Sequence, residues 1–174
     1  MKEMVRYGLI LSLICALAST SLAVVNSITK VRIIAQAEAE EEASLKEVLP
    51  EATHFEPVKS GNDIIYYKAH NKDGKFIGVA FKASAKGYSS IIETMAGLAL
   101  DGNITAIKIL NHNETPGLGA RIADSSFTGQ FANKNIRGLN EVQVITGATI
   151  SSKAVIDSVS KKAQEIKELI KNEQ

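Results

Sequence analysis

Between Arg6 and Lys30 the chain carries no charged side chain, and this uncharged run constrains it more than any other feature. It passes from Tyr7 through Leu22, Ala23, Val24, Val25 and Ile28 to Thr29. A stretch of that length, wound as a helix, spans the hydrocarbon core of a bilayer, and its apolar surface has no place exposed on a water-soluble fold. Residues 1–32 therefore read as a single-pass N-terminal transmembrane helix that anchors the chain in the lipid bilayer. The competing reading is a cleavable signal peptide, with Lys2 and Arg6 as its basic start and Ala16-Leu17-Ala18 as its cleavage site. Apolar residues continue well beyond that site, which favours an uncleaved anchor. A lipoprotein would use Cys15, but Ile14 stands where a small residue is expected. Lys2 and Arg6 before the span nearly balance Lys30 and Arg32 after it, so charge alone sets no orientation.

The chain beyond the anchor is enough for one modest domain. The 174 residues are 45% apolar but only 5% aromatic, with no Trp, so aliphatic side chains must fill the core. A net charge of +1 offers no footprint for nucleic acid. Cys15 is the single cysteine and lies in the apolar run, which excludes a disulfide framework and a cysteine metal site. His54, His70 and His112 show no metal-ligand spacing. Residues 33–50 read as a juxtamembrane helix and linker: Leu45, Val48 and Leu49 form a narrow apolar stripe, the acidic run before them is a solvated face, and Pro50 ends the helix.

Residues 51–174 read as the folded domain. Ile64–Ala69 and Phe76–Ala83 are rich in β-branched and aromatic residues, and Asn71-Lys72-Asp73-Gly74 between them is a hairpin turn. Ile91–Ala99 and Ile104–Leu110 form a second pair around Asp101-Gly102-Asn103, after a break at Gly87-Tyr88. The class is α+β: an antiparallel sheet of four strands, one face buried by the juxtamembrane and C-terminal helices. Residues 124–140 read as a long surface loop with a hydrophobic tuck, in which Phe127 and Phe131 are core plugs.

The chemically pointed stretch is residues 142–159. Val142, Val144 and Ile145 read as a short buried strand. Thr146-Gly147-Ala148-Thr149 then turns the chain into a helix running to about Lys171, with Val155, Val159, Ala163, Ile166 and Ile170 on its buried side. Gly147 and Ala148 let a ligand approach the backbone, and Thr149, Ser151 and Ser152 crowd hydroxyls onto a helix start that favours an anion such as phosphate. Hydroxyl residues at a helix start are also ordinary caps, so the stretch alone leaves both readings open. Upstream, Glu114-Thr115-Pro116-Gly117-Leu118-Gly119 comes directly after the last strand. Its Pro-Gly pair favours a tight turn with positive φ at the glycine, and Ala120–Ala123 suits a helical turn.

Thr-Gly-Ala-Thr-Ile-Ser-Ser-Lys-Ala-Val resembles the flavin-attachment motif of the FMN-binding domain family found in the RnfG and NqrC subunits of membrane redox complexes, and Glu114–Gly119 resembles its second signature. The resemblance covers about residues 45–170, and the N-terminal anchor also fits. It implies one covalent FMN on Thr149 through a phosphoester, beside Thr146, Gly147 and Ala148. It also places Glu114, Thr115, Leu118 and Gly119 against the cofactor. No His, Lys or carboxylate adjoins Thr149 in sequence to activate its hydroxyl, so the family's flavin transferase is expected to install the ester. The family usually has Asp six residues before the modified threonine, where this chain has Gln143. The resemblance further implies a flavin domain on the outer face of a bacterial inner or cytoplasmic membrane, among other membrane and redox subunits. In an Rnf-type complex electrons from reduced ferredoxin pass to NAD while sodium ions or protons cross the membrane. A sodium-pumping quinone reductase is the runner-up, and the short chain leans toward the Rnf type. No catalytic residues and no stand-alone activity are expected. A scaffold protein whose Thr-Gly-Ala-Thr turn is only a cap is the alternative from another class, and it would be colourless.

Overall fold

The computed structural model describes residues 2–61 and 63–172. Its first element, α1 (Lys2–Val48), is one unbroken helix that contains both the uncharged run and the acidic segment. The first proline is Pro50, so nothing in the backbone stops the helix earlier. An 18-residue window of α1 reaches a mean hydropathy of 2.3, and the helix is long and apolar enough to cross a membrane. Within it the hydroxyls of Ser12, Thr20, Ser27 and Thr29 donate to the carbonyls of Gly8, Ala16, Val24 and Val25, which satisfies these four in an apolar setting.

Packing divides the chain into two units after Glu40. The second unit is built on a five-stranded antiparallel meander in the order β1-β2-β3-β4-β5. The strands are β1 (His54–Ser60), β2 (Asp63–His70), β3 (Phe76–Lys86), β4 (Ile91–Ala99) and β5 (Ile104–Asn111). The α+β class holds, and four strands lie where the pattern places them. The fifth, β1, is an addition: Glu56, Pro57 and Lys59 spoil its alternation. Those residues suit a sheet edge, where proline and charge blunt further pairing, and β1 carries a bulge between Val58 and Lys59. The expected hairpin turn forms, with Asn71 Oδ1 accepting from the N–H groups of Asp73 and Lys75.

Helices cover both faces of this sheet, which corrects the expectation that they share one. The C-terminal helix α3 (Thr149–Asn172) buries Val155, Val159, Ala163 and Ile166 against Val79, Phe81, Ile92 and Leu98. On the opposite face Leu45, Val48 and Leu49 pack on Ala69, Ala80 and Met95. The alternation of the central strands explains this: each row of β3 and β4 holds buried apolar residues, Val79, Phe81, Ile92 and Leu98 on one side and Ala80 and Met95 on the other, so each requires a cover. The second row is made of small residues and admits a close helix. A Cβ on Gly97 would lie 2.6 Å from the Val48 carbonyl oxygen. Thr105 donates its hydroxyl to that same carbonyl, and Lys108 pairs with Glu47. Glu41 accepts from the Tyr67 hydroxyl and pairs with Lys82. Burial, together with the adjacent Glu41 carboxylate, pushes the Tyr67 phenol well above its ordinary range.

Residues 124–140 are not the expected surface loop. A 3₁₀ turn at Gly119–Ala123 leads into α2 (Ser125–Thr128), and further 3₁₀ turns come at Gly129–Phe131 and Ile136–Glu141. Phe127 and Phe131 are both buried, edge to face with centroids 5.5 Å apart, and so fill the core as expected. The strand expected at Val142, Val144 and Ile145 is also absent. The segment around Asn133–Asn135 takes the free edge at the start of β5, exchanging hydrogen bonds with Ile104. Val142 alone of the three is fully buried, while the Gln143 N–H donates to the Gln130 side chain.

Leu45 is 5% exposed beneath the sheet, so Leu45→Ala should lower the domain's stability by about 2–5 kcal/mol. Leu17→Ala, in the uncharged run, should leave it unchanged. Thermal unfolding of the detergent-solubilised chain by circular dichroism distinguishes the two.

Candidate functional site

The start of α3 is shaped by a left-handed residue. Gly147 has φ +84°, a conformation that L side chains avoid, and the Ala148 N–H closes the turn on the Ile145 carbonyl. The three hydroxyls of the first helical turn have different tasks. Ser152 donates to the Ala148 carbonyl and accepts from the Ile145 N–H, locking the turn to the helix. Ser151 donates to Glu114 Oε2 at 2.7 Å. Both serines are buried. Thr149 is exposed, and its hydroxyl has no partner among the described residues. Two of the three hydroxyls are thus committed within the protein, and only Thr149 is left for a ligand.

Glu114 is the residue to which the site is pinned. It is 5% exposed. Oε1 accepts from the backbone N–H groups of Ser89 and Ser90, both at 3.0 Å, and Oε2 accepts from Ser151. One carboxylate thereby ties together the β3–β4 loop, the loop after β5 and the start of α3. Burial acts to raise its pKa. The Ser151 hydroxyl and the backbone N–H groups of Ser90, Ser89 and Tyr88 outweigh that and hold it below the usual carboxylate range. Two glycines make room for it. A Cβ on Gly87 would lie 2.5 Å from Oε1, and one on Gly119 would lie 2.7 Å from Oε2. Gly119 is where the glutamate side chain passes.

These loops enclose a cleft of about 440 Å³, within the range of small-molecule sites. Glu114, Thr115, Leu118, Gly119, Gly147, Ala148 and Thr149 all line it. Of the residues expected at the cofactor, only Thr146 does not. Three more residues join them: Tyr88, Ile150 and Ser151. The signal for Tyr88 was present as Gly87-Tyr88, but in sequence the pair marks only a break between strands. Gly117, at the tip of the Pro-Gly turn, has φ +76° as expected.

The lining has small residues at its base, apolar Leu118 and Ile150 at its rim, and no Lys, Arg or His. A phosphate in the cleft would meet the unpaired N–H groups of the first turn of α3.

The profile of the FMN-binding domain matches residues 87–164, and that of the RnfG N-terminal region matches residues 1–48. The G subunit of the ion-translocating oxidoreductase complex of Methanosarcina acetivorans is 35% identical over 173 residues, covering 91% of this chain and 92% of that protein. The chain belongs to the RnfG family. Two further relatives from that family carry fuller names. The G subunit of the Na(+)-translocating ferredoxin:NAD(+) oxidoreductase complex of Acetobacterium woodii is 32% identical, with 98% of this chain and 95% of that protein covered. The G subunit of the proton-translocating ferredoxin:NAD(+) oxidoreductase complex of Clostridium ljungdahlii is 31% identical, with 90% and 88% covered. In this RnfG-family chain the FMN-binding profile begins at Gly87, and it encloses every residue that lines the cleft.

Glu114→Gln leaves at least one of the donors around the carboxylate without its acceptor, at a cost of about 1.5–3 kcal/mol at neutral pH. The sign with pH comes from the depressed pKa. Glu114 contributes fully above the usual carboxylate range, and its contribution fades as pH falls through its own lower value. Urea unfolding of wild type and variant should therefore show a gap that is wide at neutral pH and narrows on acidification.

Proposed function

We propose that this chain is a membrane-anchored flavoprotein that relays electrons through one FMN, joined to Thr149 by a phosphoester. The observation that carries the reading is the cleft. Glu114, Thr115, Leu118 and Gly119 meet Gly147, Ala148 and Thr149 there, around the one hydroxyl in the first turn of α3 that has no partner among the described residues. Bound FMN supplies one-electron acceptance and release, while the chain supplies position and electrostatics. In this reading Thr149 holds the ester and Gly147, Ala148 and Gly119 allow close approach. Thr115 and Leu118 contact the cofactor, and Glu114 keeps the three loops in register. Thr146 stands outside the lining and serves the turn.

Threonine is not a nucleophile without a base. The one carboxylate in the lining already accepts from Ser151 and from backbone N–H groups, so a separate flavin transferase installs the ester. Gln143, at the position where the family usually has Asp, is exposed and bonded to Gln130. The proposed organisation is an anchor at 1–32, a juxtamembrane helix at 33–50 whose last turns join the sheet, and an FMN-binding domain at 51–174. The flavin domain lies on the outer face of a bacterial inner or cytoplasmic membrane. The chain works with other membrane and redox subunits of an Rnf-type complex, in which electrons pass from ferredoxin to NAD with sodium or proton translocation. It has no catalytic activity alone.

Expression in membranes with a flavin transferase tests this. Ultraviolet in-gel fluorescence of the denatured wild type should show a flavin band, Thr149→Val should show none, and Thr146→Val should keep it. An unlabelled wild type beside a labelled control substrate would contradict the proposal.

A further inference from the structure

Of all the side chains that line the cleft, Tyr88 is the one aromatic, and it is 69% exposed. Its hydroxyl has no hydrogen-bond partner among the described residues, so neither packing nor a polar contact explains its placement. Its backbone, by contrast, is firmly held. Tyr88 sits between Gly87, where no Cβ fits beside Glu114 and Ile92, and Ser89-Ser90, whose N–H groups are bound by the Glu114 carboxylate. The Ser90 carbonyl also accepts from the Gly87 N–H at 2.8 Å, closing a tight turn. A lone exposed ring is ordinary, but several exposed apolar side chains gathered around one cleft mark a ligand surface. Leu118, 49% exposed, and Ile150, 56% exposed, stand uncovered around the same cleft. Together the three give the cleft an exposed apolar surface.

We propose that Tyr88 packs its ring against the isoalloxazine ring of the bound FMN and is the residue that positions the flavin's aromatic end, with Leu118 and Ile150 as its apolar neighbours. This rests on the reading of the cleft as the FMN site. The chemistry of the pair is direct. A phenol in contact with an excited flavin gives it an electron and takes the electron back, so emission is lost with no net oxidation of either partner. Stacking of two flat π systems also fixes the flavin's orientation, which a flexible ester at Thr149 does not do alone. Because Glu114 holds the backbone of Tyr88, the same carboxylate that braces α3 also sets the height of the ring above the cleft.

The test compares flavin fluorescence lifetimes in the native, flavinylated full-length chain, with covalent FMN content read separately by intact mass. Tyr88→Leu should keep a full complement of FMN and brighten severalfold with a longer lifetime. Tyr88→Trp, which retains a stacking and electron-donating ring, should stay quenched. Tyr88→Phe, which stacks but donates poorly, should brighten. Ile91→Ala, similarly exposed but outside the cleft lining, should match wild type. Full FMN content with identical lifetimes in wild type and Tyr88→Leu overturns the role of Tyr88 while leaving the FMN site intact. Absence of FMN from the wild type, beside a labelled control, overturns both. Unfolding temperatures of the unflavinylated Tyr88 variants should not differ, since without the flavin the side chain is exposed.

Discussion

The site depends on the burial of one charge. Glu114 has almost no solvent, and a carboxylate so placed is tolerable only when each oxygen is met by donors. Here the carboxylate joins three separate pieces of chain: the turn after β3, the loop after β5 and the first turn of α3. Neutralising the charge by protonation would loosen all three. The depressed pKa expresses the same fact, that the folded state binds the ionised form more tightly than water does. What looks like a cofactor pocket is therefore first an electrostatic knot, and the opening beside it is the space the knot leaves.

The rest of the architecture supplies the stiffness this arrangement needs. β3, β4 and β5 run in antiparallel pairing up to the loops that carry Tyr88 and Glu114, so both loops start from fixed strand ends. The buried stripe of α3 presses that helix against the sheet, and so positions Ser151 and Thr149 together: one turned inward to the carboxylate, the other outward to solvent. On the far face the last turns of α1 close the sheet through Leu45, Val48 and Leu49. Burying each such aliphatic side chain is worth about 1.5–3 kcal/mol, so these turns belong to the domain's stability as well as to its tether.

Features governed by neighbours in the chain were legible in the sequence. The turn at Asn71–Gly74, the positive φ at Gly117 and the helical stripe from Val155 to Ile166 all arise from local backbone or spacing requirements. The two motifs that meet at the cleft were visible as well, because each is contiguous. Features governed by tertiary choice were not. The apolar stripe of residues 45–49 shows that a face is buried but not which side of the sheet receives it. β1 hides behind Glu56, Pro57 and Lys59, which mark an edge only once the sheet is known. Val142–Ile145 has strand composition, yet the available edge of β5 is taken by a different segment. Most consequential is the pair Ser151 and Glu114, 37 residues apart, which turns a hydroxyl that looked free for phosphate into a structural donor and singles out Thr149. No spacing rule contains that information.

Of the three hydroxyls in the first turn of α3, Thr149 alone has no protein partner among the described residues, and it is the one proposed to carry the cofactor. Tandem mass spectrometry of the tryptic peptide beginning at Gly138 and ending at Lys153, taken from transferase-treated protein, tests it most directly. That peptide contains Thr146, Thr149, Ser151 and Ser152 together. The account predicts fragment ions that place FMN on Thr149 alone. FMN on Thr146, Ser151 or Ser152 would contradict it, because the first lies outside the cleft and the other two would have to give up the hydrogen bonds that form it.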